Sequence, residues 1–258
     1  MAIEMLAGEV TTRFLTLVWP MTRISAMVMS SPILSQGAVT LRLRILLVVV
    51  LTWLVWPLHE WPRIDVVSGP GLLFLLQEVF IGVLMGLIMQ IVLGALVVGG
   101  QAISATLGLA MANMVDPNMG HVPILGQVLV VMGTLIFVGL GGHTMMIGLV
   151  LESFRTIPVA TTYDVTLAIQ SLLAWSSMLF VGGLLLALPV LVTLLFINIG
   201  LGVVTRAAPS LNIFAVGFPA MLMVGMLVLW IAMASMGERV QWLWIRGLTE
   251  LQSVLGVG

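Results

Sequence analysis

Charged residues are so sparse in this chain that its apolar tracts are the gaps between them. Uncharged runs cover 24–41, 79–115, 117–151, 165–205 and 207–237. An uncharged apolar run of about 18 residues or more reads as a membrane-helix candidate, and every one of these runs is long enough. A transmembrane β-barrel alternates apolar and polar residues in segments of about ten. Here the apolar sequence is continuous, which leaves helix to satisfy the backbone in lipid. The pattern predicts an all-α, polytopic protein in or against a membrane.

Six apolar blocks stand out, at 14–34, 45–58, 71–112, 122–151, 165–204 and 213–237. Their lengths do not suit simple spans. Block 45–58 is short of the roughly 20 residues that a span needs. Block 71–112, as one straight helix, would run about 63 Å against a hydrocarbon core of about 30 Å. It must fold back, break or leave the bilayer, and Gly99-Gly100 is the expected break. Block 165–204 has the same excess, with Gly182-Gly183 and Pro189 inside it. Long, broken helical hairpins are the expected architecture. Arg42 and Arg44, with no acid nearby in 35–44, favour the cytoplasmic side for that loop.

Within the blocks, small residues recur in steps of four: Gly82, Gly86 and Gly94, then Gly100, Ser104, Gly108 and Ala112. That spacing lines one helix face and lets backbones approach. The face serves either packing within the chain or contact with another chain. Glu78, inside the third block, reads as a residue near a span's end, an acceptor between helices, or a proton relay.

Composition narrows the function classes. Hydrophobic residues make up 61% of the chain and charged residues 7%, with mean hydropathy +1.24; a soluble domain carries about 25% charged residues. The nine basic residues are all Arg, the net charge is −1, and no basic cluster exists to attract nucleic acid. Cysteine is absent, which removes disulfides and thiolate metal sites. The opening "MAIEMLAGEVTTRF" places Glu4 and Glu9 before any base, unlike a signal peptide. His59, His121 and His143 lie in separate segments, without the paired spacing of a zinc site. No nucleophile elbow and no lysine-containing phosphate loop occurs. No catalytic, cofactor or metal residue is expected.

Two stretches carry more information. "GLAMANMVDPNMGHVP", residues 108–123, is a turn by composition, with Asp116-Pro117-Asn118 at its centre. Met111, Met114 and Met119 cluster there beside Asn113. Methionine fills irregular gaps without fixing one geometry, as a deformable plug requires; the alternative is that Met is simply common, at 19 of 258 residues. The second stretch holds Arg206, the one charge between Asp164 and Glu238. At a bilayer centre an arginine costs about 2.5–3.5 kcal/mol on insertion scales. Pro209, Asn212, Gly217 and Pro219 follow, so Arg206 is expected at the mouth of a turn. It serves there as an interfacial anchor or pairs with carbonyls or a carboxylate of a neighbouring subunit.

The segment "RAAPSLNIFAVGFP" resembles the signature R-x-x-P-Q-x-N-x-F-x-x-G-F-P of the FliR family of flagellar export-gate proteins. Arg206, Pro209, Asn212, Phe214, Gly217, Phe218 and Pro219 match it, and Ser210 replaces the usual Gln. "SPILS" (31–35), "QEVFIGVLMG" (77–86), "QAISATLGLAMANMVDP" (101–117) and "GGHTMMIGLVLESFRTIP" (141–158) are similar in order and spacing to other family blocks. Thr40 stands where the family usually has Pro, and Ala220-Met221-Leu222 where a Lys often follows. Injectisome relatives tend towards Ser-Leu/Met-Pro in place of Gly217-Phe218-Pro219, which favours the flagellar branch.

The resemblance implies a non-enzymatic core subunit of the type III export gate, in the bacterial inner membrane at the flagellar basal body. Its partners would be FliP, FliQ and FlhB, its cargo unfolded flagellar proteins, and its surroundings membrane lipid. Residues 1–164 would be FliP-like and 165–258 a FliQ-like hairpin. The central loop, about 108–123, would help to close the channel through Met111, Asn113, Met114, Asp116, Pro117, Asn118 and Met119. Family members assemble largely above the membrane plane, which would account for helices mismatched to a span. A stand-alone secondary transporter is the alternative from another class; it would need midplane carboxylates or paired broken helices, and Glu78 is alone. An intramembrane enzyme lacks paired catalytic groups.

Overall fold

The computed structural model describes residues 14–34, 39–108, 124–207 and 213–257. Every regular element among them is a helix: α1 (Val18–Ser30), α2 (Leu41–Val55), α3 (Gly69–Thr106), α4 (Ile124–Gly139), α5 (Gly142–Thr156), α6 (Val165–Ser176), α7 (Met178–Ala207) and α8 (Ile213–Leu255). A 3₁₀ turn, Trp56–Leu58, prolongs α2. Among the described residues, four stretches are long and apolar enough to cross a membrane, or five if α4 and α5 count as one broken span.

Local chemistry marks the helix starts. Asp65 Oδ1 accepts from the Val67 amide at 3.0 Å, and Ser68 Oγ accepts from the Gly71 amide at 3.2 Å. The serine thereby caps an orphan donor at the start of α3. Pro70 falls in the first turn, where a missing N–H costs nothing. Asp164 does the same for α6, accepting from the Leu167 amide at 3.0 Å. Gly141 separates α4 from α5 with φ +70, a conformation that glycine adopts without steric cost.

The expected break at Gly99-Gly100 does not occur. α3 is one helix of 38 residues, about 57 Å long at 1.5 Å per residue. A glycine pair breaks a helix only if nothing supports it, and here both residues are contact points. A Cβ on Gly99 would lie 2.9 Å from the Gly183 carbonyl oxygen, and one on Gly100 would lie 2.3 Å from Gly126 Cα. The missing side chains let neighbouring backbones in. α7 likewise runs unbroken through Gly182-Gly183 and Pro189; the interruption in that tract falls at Ser177. α8 continues for 43 residues, past Glu238 and Arg239 where the apolar block ended. These helices keep their length instead of folding back at their glycine pairs.

The chain packs as two units. The first comprises residues 1–90, 141–176 and 246–258. Its core holds Trp19, Ile24, Met27, Ile81, Leu84, Met85 and Ile88, all at most 1% exposed. Trp175 of α6 donates its indole N–H to the Ile88 carbonyl at 3.2 Å.

The second unit comprises 91–140 and 177–245. There Phe137 and Trp244 pack with ring centroids 4.6 Å apart, and Trp244 Nε1 donates to the Gly133 carbonyl at 2.9 Å. Such a ring pair adds about 0.5–1.5 kcal/mol beyond area burial. Gly182 opposes Leu243 and Leu185 opposes Arg239, so α7 and α8 run antiparallel. Their outer faces carry bare apolar side chains, among them Phe196 at 71% and Trp230 at 74% exposed.

Candidate functional site

An arginine that sequence reasoning passed over organises the first unit. Arg23 lies in α1 with its side chain wholly buried, and Glu78 of α3 is buried equally. Arg23 Nε donates to Glu78 Oε2 at 2.7 Å and Nη2 donates to Oε1 at 2.9 Å. This is the two-point fork that guanidinium and carboxylate planes permit.

The remaining donors reach the end of α5. Nη1 donates to the Ser153 carbonyl at 2.8 Å and to Ser153 Oγ at 3.0 Å, and Nη2 donates to the Ile157 carbonyl at 2.9 Å. Guanidinium carries five N–H donors, and five acceptors surround it. The plane also lies over the Phe154 ring, 4.3 Å from its centroid. A cation at a helix C-terminus complements the dipole there. Arg23 therefore ties α1, α3 and the end of α5 together, and Glu78 bridges helices through it.

The signal was present in the sequence: Arg23 and Glu78 are single charges of opposite sign, each inside an apolar block. Isolation was visible, whereas the partner was not.

The small residues of α3 fall on close contacts within each unit. In the first, a Cβ on Gly82 would lie 2.4 Å from the Arg23 carbonyl oxygen, and one on Gly86 would lie 2.0 Å from Ser30 Oγ. In the second, Gly100 meets α4 at Gly126, and Ser104 Oγ is buried without a hydrogen bond among the described residues. Gly108 takes φ +75 just beyond the end of α3.

Arg206 sits in the last turn of α7 with an exposed side chain. Pro209 and Asn212 lie outside the described residues. Phe214, Gly217, Phe218 and Pro219 fall in the first two turns of α8; Gly217 is half-buried and Pro219 exposed. The plug-loop residues Met111, Asn113, Met114, Asp116, Pro117, Asn118 and Met119 all lie outside the described residues.

The family of bacterial export proteins, family 1, matches residues 14–246. That range takes in Arg23, Glu78, Ser153 and the whole signature segment. Flagellar biosynthetic protein FliR of Pectobacterium carotovorum subsp. carotovorum is 36% identical over 212 residues, covering 82% of this chain and 81% of the relative. The FliR of Escherichia coli (strain K12) is 33% identical over 208 residues, covering 80% of each. The chain belongs to the FliR family. A more distant member, from Aquifex aeolicus (strain VF5), is 32% identical over 158 residues and 61% of each chain. As a FliR-family protein, the chain is a component of a flagellar export apparatus, and its helices are long and apolar enough to cross a membrane.

Proposed function

We propose that this chain is a non-enzymatic core subunit of the flagellar type III export gate, building and sealing the inner-membrane channel with FliP- and FliQ-like subunits. The observation that carries the proposal is the family match, which runs through both packed units. Residues 1–164 supply the FliP-like part and 165–258 the FliQ-like hairpin. The antiparallel course of α7 and α8 supports the second assignment.

The loop about 108–123 acts as the displaceable seal, and an FlhB-like subunit docks on the cytoplasmic side. Unfolded flagellar proteins are the cargo. The large exposed side chains of α7 and α8 need lipid or partner helices to cover them.

Intact mass measurement of the detergent-solubilised assembly tests this reading. The expected result is one copy of the chain with several FliP-like and FliQ-like copies. A stable, monodisperse monomer would overturn it.

A further inference from the structure

Pro189 lies inside α7, and a proline has no N–H to give. The carbonyl four residues earlier, that of Leu185, therefore loses its helical donor. A side chain from α8 takes over: Arg239 Nη1 donates to the Leu185 carbonyl oxygen. The bond is exposed and borders a cleft of about 270 Å³ lined by Leu186, Glu238, Trp242 and Leu243.

Core side chains lie on both sides of this point, Leu186 and Ala187 before it and Val190 and Leu194 after it. On the N-terminal side α7 is pinned, since a Cβ on Gly183 would lie 2.8 Å from the Ala95 carbonyl oxygen and one on Gly182 would lie 2.8 Å from Leu243 Cδ2. On the other side, Thr193 Oγ1 bonds back to the Pro189 carbonyl at 2.8 Å, an arrangement that bends helices.

We propose that Pro189 and Arg239 form a latched hinge, in which the arginine holds α7 in one course by satisfying the carbonyl that the proline frees. When Arg239 is withdrawn, the Leu185 carbonyl loses its protein donor and the bend of α7 at Pro189 is no longer fixed. This is a property of the second unit and does not rest on the export reading.

The absence of cysteine gives a direct test. Phe180 and Phe196 flank the hinge and are 69% and 71% exposed, so Phe180→Cys and Phe196→Cys place spin labels without disturbing the core. Sixteen residues of straight helix separate the labelled backbone positions by about 24 Å. Dipolar distance measurement on the full chain in its purified assembly should give one narrow distribution. Arg239→Ala should make it about twice as broad, because the freed carbonyl no longer has a fixed partner. Adding Pro189→Ala should narrow it again, since that substitution restores the backbone N–H that the Leu185 carbonyl needs.

An unchanged distribution in Arg239→Ala overturns the proposal, and so does a double variant as broad as the single. If Arg239→Ala does not yield folded protein, the reading becomes the yield. Recovery of folded protein on adding Pro189→Ala supports the latch, and no recovery overturns it.

Discussion

Arg23 and Glu78, 55 positions apart in the chain, share two hydrogen bonds of 2.7 and 2.9 Å with neither side chain exposed. Removing one partner of a buried pair strands the other charge and costs about 3–5 kcal/mol. Arg23→Ala and Glu78→Ala should each lower the thermal midpoint of the purified assembly substantially. Joint replacement by Leu should cost less than the sum of the single changes. Arg23→Lys should fall between, since one ammonium cannot serve Glu78, Ser153 and Ile157 together. A parent-like midpoint in Arg23→Ala would show that the pair is not structural.

Two glycines in helices should respond oppositely to alanine. A Cβ at Gly100 would meet Gly126 Cα at 2.3 Å and its amide nitrogen at 2.5 Å, both backbone atoms. Gly100→Ala must push α3 and α4 apart, at a cost of about 1–3 kcal/mol, typical of overpacking. Gly148, in α5, has nothing within 4 Å of its notional Cβ. Gly148→Ala should gain up to about 1 kcal/mol from helix propensity. Denaturation midpoints of the two variants check this, and equal shifts would refute it.

Tyr163, the single tyrosine, lies in the segment between α5 and α6 and donates its hydroxyl to the Val254 carbonyl at 3.0 Å. Burial pushes its pKa above the ordinary value, with the charge of Arg23 acting in the opposite sense. Because the folded value is raised, the phenol's contribution is full below the unfolded pKa of about 10. It is lost as pH climbs through the folded value. Ultraviolet titration should therefore show tyrosinate forming above about pH 10 in the native protein and close to 10 after denaturation. Tyr163→Phe should abolish the step. A native titration at the ordinary value would contradict the half-buried, hydrogen-bonded hydroxyl.

Deleting residues 110–119 tests the proposed seal. Shortening a loop between helices packed elsewhere costs little, so the assembly should still form. Membranes carrying it should leak ions or small molecules. Conductance and assembly are to be measured together; an intact complex in a tight membrane would remove the loop from the seal.

The all-helical, membrane-suited architecture was legible because continuous uncharged tracts admit one backbone solution in lipid. What those tracts do at a given residue was not. Gly99-Gly100 reads as a break in isolation, yet it is where Gly183 and Gly126 approach, and only tertiary structure reveals a neighbour. Arg206 drew attention by its solitude and lies exposed at a helix end. Arg23, equally solitary in its block, is the buried one, since isolation along the chain says nothing of what lies across it. Pro189 was visible as a defect, whereas Arg239, the donor that repairs it, lies 54 residues beyond the Leu185 carbonyl it serves.

The acceptors around Arg23 also set an order of events during biosynthesis. Glu78 follows it by 55 residues, but the Ser153 and Ile157 carbonyls come 130 and 134 residues later. At a synthesis rate of about 5–20 residues per second, the guanidinium waits on the order of ten seconds for the last of its partners. Throughout that interval α1 holds an incompletely bonded cation within an apolar tract. The nascent chain must keep it near water or in protein company until α5 is made.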